Sequence, residues 1–139
     1  MTVITKTLAF PTKGNDDMID ITSKVQDVLS ASGLSGGIVT VFVPGSTASV
    51  TTIEYEPGLV KDFPRAMEKL APHGAHYEHD ARWGDGNGNA HVRASAIGPS
   101  LVVPFENGRL TLGTWQQIVF IDFDNRPRAR NVIVQAMGE

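Results

Sequence analysis

Apolar and polar positions change period several times along the chain, and each change marks an element. Thr2 to Phe10 alternates loosely and is rich in β-branched residues, which predicts a strand. Pro11–Asp17 reads as a turn and Met18–Ile21 as a short second strand. Ser23 with Gln26 three positions on has the form of a capping box. Val25, Val28 and Leu29 then form one apolar helical stripe, and Gly33 is placed to end that helix. Ile38–Val43 is a near-continuous apolar run, the pattern of a strand buried on both faces, and Pro44-Gly45 breaks it. Ser49–Tyr55 is again strand-like. Leu59, Phe63, Ala66, Met67 and Leu70 keep helical spacing, but Pro64 lacks an amide hydrogen, so the helix should kink there or restart with Pro64 in its first turn.

Ala71 to Asn89 has another character: three of the four histidines, several Gly, Asn and Asp residues, and few aliphatics. A loop of this length in a compact domain is functional or mobile. Regular pattern returns at Ser100–Phe105, Arg109–Leu112, Trp115–Phe123 and Asn131–Ala136, all strand-like, with a hairpin signal at Asn107-Gly108. Strands at both ends with two helices between them predict a single α+β domain, residues 1–139, built on antiparallel sheet.

Composition narrows the classes. A hydrophobic fraction of 41% and a charged fraction of 19% are those of a globular protein. A net charge of −3 gives no reason to expect nucleic acid or an anionic membrane as partner. With no cysteine there is no disulfide, thiolate metal site or thiol nucleophile. No apolar run approaches the roughly 20 residues that cross a bilayer or resembles a signal peptide, so the expected location is the cytoplasm.

The candidate chemistry centres on histidine. His79 and His91 flank the loop 80–89, which can fold back and bring both imidazoles together. With a carboxylate such as Glu54 they make a plausible divalent-metal site, the competing reading being surface histidines in a polar loop. Strand alternation through this region would put His79 beside Tyr77 and His76 on the other face. Asp85-x-Asn87-x-Asn89 is not a calcium loop, since Ala90 and Ala96 stand where that motif needs Gly and Glu. Ser46 and Thr47, in the turn Pro44-Gly45-Ser46-Thr47, either present donors to an anion or simply join two strands. Arg93 suits a phosphate or carboxylate, or else a surface salt bridge. Arg126, Arg128 and Arg130 form a small basic cluster that Asp122, Asp124 and Glu139 can neutralise. Trp115 reads as core or interface, with Thr114 and Gln116 together on the opposite side of the strand, where they suit a hydrogen-bonding site.

In order along the chain, Pro44-Gly45-Ser46-Thr47-Ala48, Thr52-Ile53-Glu54-Tyr55-Glu56-Pro57-Gly58-Leu59, Tyr77-Glu78-His79-Asp80, Asn87 to Ser95, Gly108-Arg109-Leu110 through Gly113-Thr114-Trp115-Gln116-Gln117, and Pro127-Arg128-Ala129-Arg130 resemble the YjbQ-type family of secondary thiamine-phosphate synthases. The resemblance implies an α+β fold with antiparallel sheets and two or three helices, assembled as a homotrimer with a polar pocket near subunit boundaries. It implies a metal site at His79, His91 and Glu54 holding zinc or magnesium, and an anion site at Ser46, Thr47, Arg93, Thr114 and Gln116. The activity it implies is metal-assisted chemistry on a phosphorylated small metabolite, joining a pyrimidine diphosphate to a thiazole phosphate to give thiamine phosphate and pyrophosphate. A trimeric metal- or anion-binding protein without turnover is the alternative. Many members carry a histidine where this chain has Gly45, so a role for that histidine does not transfer.

Overall fold

In the computed structural model, which describes all 139 residues, β1 (Thr2–Thr12) pairs antiparallel with β8 (Arg128–Gly138) along its whole length, Thr2 opposite Gly138 and Thr12 opposite Arg128. β3 (Gly36–Phe42) lies on the other edge of β8, followed by β5 (Ser100–Glu106) and the two-residue β6 (Arg109–Leu110). A second antiparallel sheet has β7 (Gln117–Asp122) at its centre, between β2 (Asp17–Asp20) and β4 (Ala48–Ile53). Asn107 and Gly108 turn the β5–β6 hairpin with φ of 52° and 71°, the left-handed pair that this dipeptide favours.

Four helices, rather than the two or three expected, complete an α+β domain: α1 (Thr22–Ser32), α2 (Pro57–Leu70), α3 (Glu78–Trp83) and α4 (Gly88–Ile97). None is long and apolar enough to cross a membrane. The main core joins the two sheets and takes Val25 and Leu29 from α1. A smaller core joins the far face of the three-stranded sheet to Met67 of α2 and to Ala90 and Ala94 of α4. β7 therefore sends Ile118 and Phe120 into one core and Val119 and Ile121 into the other.

That makes β7, not β3, the strand buried on both faces. β3 buries Val39 and Val41 but leaves Ile38 and Phe42 exposed, because nothing in the chain covers the outer face of its sheet. The capping box expected at Ser23 and Gln26 does not form. Thr22 is held by Asp20, and Gln26 instead reaches the hairpin, donating to the Gly108 carbonyl at 2.9 Å and accepting from the Leu110 amide at 3.1 Å. Gly33 ends α1 in the left-handed conformation, as expected. α2 does not restart at Pro64. It starts at Pro57, where the Glu56 carboxylate accepts the amides of Gly58 and Leu59, and runs through Pro64 to Leu70.

Residues 71–89, expected as a loop with strand-like alternation, hold α3 and lead into α4. Gly84 ends α3 at φ 72°, and Gly86 turns the chain at φ 68°. Gly88 allows close approach: a Cβ there would lie 2.6 Å from Cβ of Tyr77. Short helices of this kind escape periodicity because they show less than two turns of pattern.

Candidate functional site

His79 sits in α3 and His91 in α4, and their ring centroids lie 4.3 Å apart with the planes tilted by 39°. One carboxylate ties the two helices together: Asp80 Oδ1 accepts the Gly88 amide at 2.8 Å and stands 3.3 Å from His79 Nδ1. Burial pushes the His91 pKa below the usual histidine range, and repulsion from His79 pushes it the same way. His91 is thus neutral at neutral pH. His73 and His76 lie elsewhere, bonded to Glu68 at 2.6 Å and to Glu78 at 3.1 Å.

A cleft of ≈ 520 Å³ is lined by both imidazoles together with the turn Gly45-Ser46-Thr47 and the start of β8. Asp124, fully buried, anchors this wall. Its Oδ2 accepts from Thr47 Oγ1 at 3.0 Å and from Arg128 Nε at 3.0 Å, and its Oδ1 accepts from Asn87 Nδ2 at 3.1 Å. Burial alone would raise the Asp124 pKa, but donors from Asn87, the Asn125 amide, Arg128 and Thr47 outweigh it and hold it at about 2. Arg130 forks onto Asp122, with Nε and Nη2 each 2.8 Å from a carboxylate oxygen, and also donates from Nη2 to Thr47 Oγ1 at 2.7 Å. The Arg130 bonds outweigh burial at Asp122 too and hold that carboxyl below its ordinary range.

Several polar groups at the cleft are left without a partner in the chain. The amide hydrogens of Ser46 and Thr47 meet no acceptor, and neither does Nη1 of Arg128 or Arg130. Asn87 is buried, and its Oδ1 accepts nothing.

The structure thus brings together His79, His91, Ser46 and Thr47 from among the residues singled out in the sequence. It does not bring Glu54. β4 starts beside Thr47 with Ala48 opposite Asp122 and ends with Ile53 opposite Gln117, so Glu54 lies the length of a six-residue strand away, about 20 Å. Thr114 and Gln116 are at that far end, where Gln116 bonds Thr52 Oγ1 at 3.1 Å and the Gly113 amide at 3.1 Å. Trp115 beside them is 71% exposed and not in the core of the chain.

Arg93 is neither at the cleft nor on the surface. Its side chain is buried: Nη1 donates to both oxygens of Asp16 at 2.9 Å, Nη2 pairs with Glu68 at 2.7 Å, and Nε and Nη2 cap the Ala71 carbonyl. Its donors are consumed in joining α2 and α4 to the Asp16 turn.

A divalent ion on His79, His91 and Glu54 of one chain does not fit. Two imidazoles converge, yet no group of three histidine or acidic side chains stands close enough to hold an ion. Asn87, Arg128 and Arg130 are the site residues that the sequence reading did not select. Their signal is the alternation of β8: Arg128 and Arg130 share the face of Val132 and Val134, both fully buried, so two cations occupy inward positions.

Comparison with known proteins places this geometry in a wider group. A family model described as "UPF0047 protein YjbQ-like" matches residues 6–139. A UPF0047 protein of Archaeoglobus fulgidus is 42% identical over 130 residues, 94% of this chain and 98% of its own length. The UPF0047 protein YugU of Bacillus subtilis is 40% identical over 135 residues, 96% of this chain and 98% of its own. Among solved structures, a YbjQ-like protein of unknown function from Sulfolobus solfataricus superposes with a TM-score of 0.94 at 30% identity, covering 99% of both chains. A yjbq/upf0047 family protein from Clostridium acetobutylicum gives 0.87 at 36% identity, over 95% of this chain and 99% of that one.

Proposed function

The chain belongs to the YjbQ-like UPF0047 family, and from that premise we propose that it is an enzyme acting on a phosphorylated small metabolite in the cleft between His79/His91 and Gly45–Thr47. One observation carries the reading: a neutral imidazole paired with a second one shares a cleft with two amide hydrogens and two guanidinium nitrogens that bond nothing in the chain. Such donors, fixed before the ligand arrives, stabilise charge on phosphoryl oxygens. His91, neutral and half-buried, is the base that takes a proton, while Asp80 orients the ring of His79 beside it. Joining a pyrimidine diphosphate to a thiazole phosphate uses the donors rather than the base, since the departing pyrophosphate oxygens gain charge next to them while the attacking thiazole nitrogen has no proton to lose.

A zinc or magnesium ion belongs to this proposal only with His79 and His91 as two of its ligands and the rest supplied from outside the chain. When bound it would draw charge from the leaving oxygens. The homotrimer enters in the same way. The outer face of the five-stranded sheet exposes Val3, Ile38, Phe42 and Val102, an apolar surface that a second copy of the chain would cover.

The test is turnover by purified protein of a panel of phosphorylated metabolites, including the thiamine precursors, with and without added zinc or magnesium. Turnover lost in both His79→Ala and His91→Ala supports the reading. Binding without turnover across the panel would make the protein a non-catalytic anion binder.

A further inference from the structure

Asn87 carries information about the ligand that the donors do not. Its side chain is 6% exposed and lines the cleft together with both histidines and Thr47. The amide orientation is decided by Asp124: a carboxylate can only accept, so Nδ2 must face it, at 3.1 Å, and Oδ1 is turned away. That oxygen has no hydrogen-bond partner. A buried acceptor left empty costs free energy, about 1–3 kcal/mol in general, unless something that enters the site satisfies it. Thr47 Oγ1 and Asn87 Nδ2 bond the two oxygens of the same Asp124 carboxylate, which sets the Asn87 amide group beside Thr47 in the lining of the cleft.

We infer that the cleft selects a ligand presenting an oxyanion and a hydrogen-bond donor side by side: a phosphomonoester with a hydroxyl or amine next to its phosphate. The oxyanion goes to the Ser46 and Thr47 amides and to Nη1 of Arg128 and Arg130, and the donor goes to Asn87 Oδ1. This rests on the cleft being the anion site proposed above and adds the second half of the recognition. Because Asp122 and Asp124 already neutralise the two arginines, attraction of an anion by net charge is weak here. Matching donors and acceptors therefore decides which anion binds.

Inorganic probes separate the two halves without altering the protein. At pH 8.5 hydrogen phosphate, sulfate and monofluorophosphate are all tetrahedral dianions, and only hydrogen phosphate carries a donor. Titration calorimetry should show hydrogen phosphate binding about tenfold or more tighter than the other two, which should match each other. Asn87→Ala should bind all three alike, at the wild-type sulfate affinity, with the His79 and His91 ring resonances confirming an intact cleft. Equal affinities for the three dianions in the wild type would overturn the donor recognition and leave the anion site standing. No binding of any of them would overturn both.

Discussion

The imidazoles of His79 and His91, carried by two different helices, stand 4.3 Å apart, so the charge of one bears on the other. The lowered His91 pKa sets opposite expectations for the two kinds of ligand. Sulfate keeps its charge across the range, so its affinity should rise as pH falls through the lowered range in which His91 takes up a proton. An ion held by neutral imidazoles is lost in the same direction. Calorimetry with sulfate and with zinc, from pH 8 to pH 5, reads both. His79→Ala and His91→Ala should each flatten the sulfate dependence and lower turnover by about 10²–10⁴. Because the unfolded chain binds the His91 proton first, stability from this group is complete above about 6.5 and declines as pH falls below it.

Arg93 is a buried tie rather than a ligand group, and its replacement should show it. Arg93→Met leaves Asp16 and Glu68 without their cation, a loss of about 3–5 kcal/mol for a broken buried pair. Arg93→Lys should recover only part of this, since one ammonium nitrogen cannot stand in for the three guanidinium nitrogens that reach Asp16, Glu68 and the Ala71 carbonyl. Denaturant melts give the loss. Sulfate affinity of the folded fraction should stay at the wild-type value, and a fall in it would return Arg93 to the anion site.

How far the sequence could be read follows from what each signal measures. Strands rich in β-branched residues, such as most of β1 and the later part of β8, and the Asn107-Gly108 turn stand out because local rules decide them. The pairing of His79 with His91 was legible as a loop folding back, although α3 was not. Arg93 and Glu54 are the instructive failures. Residue type suits both for ligands, but the register of β4 carries Glu54 to the wrong end of the sheet, and the burial of Arg93 depends on Asp16 and Glu68, far away in the chain. No local pattern contains those distances. Arg128 and Arg130 were read as neutralised by Asp122 and Asp124, which they are, without the further step that the neutralised cluster forms one wall of the cleft.

Trp115 projects from the turn before β7, and an exposed side chain contributes little to the fold of one chain. Trp115→Ala should therefore change the unfolding free energy of a monomeric form by no more than about 0.5 kcal/mol. If copies of the chain associate through this end of the sheet, the same change should weaken the assembly, and Val102→Lys should do so if the outer sheet face is used. Sedimentation velocity over a concentration series reads both variants. A monomeric wild type at high micromolar concentration would remove the trimer from the proposed function.

Asp124 should dominate the acid limb of the stability curve. Its folded pKa of about 2 lies below the ordinary carboxylate value of 3.8, so the folded state favours its ionised form. The stabilisation is present above about pH 4 and is lost as pH falls towards 2, and it amounts to about 2 kcal/mol. Asp124→Asn should be less stable at neutral pH, should lose part of this acid dependence, and should loosen Thr47, Asn87 and Arg128 together. Urea melts between pH 2 and 7 show the first two effects. Weaker sulfate binding shows the third.

Gly45 is where the metal question can be put directly. It lines the cleft with His79 and His91, its φ is not in the left-handed region, and a Cβ added there would meet Arg130 Nη1 at 3.4 Å and Val43 at 3.9 Å. A side chain therefore fits once Arg130 yields by a few tenths of an ångström, and it enters the same cleft as the two imidazoles. The wild-type chain offers two ligands, fewer than the three protein ligands of an open zinc site. Gly45→His supplies a third from within the lining of the cleft. Zinc affinity should rise by at least a hundredfold, while sulfate affinity should fall as the imidazole crowds Arg130 and the Ser46 amide. Zinc titration with a competing chelator and sulfate calorimetry measure the two effects. If zinc already binds the wild type tightly and Gly45→His adds nothing, the missing ligand comes from another copy of the chain, and the metal-assisted reading gains at the expense of the purely anionic one.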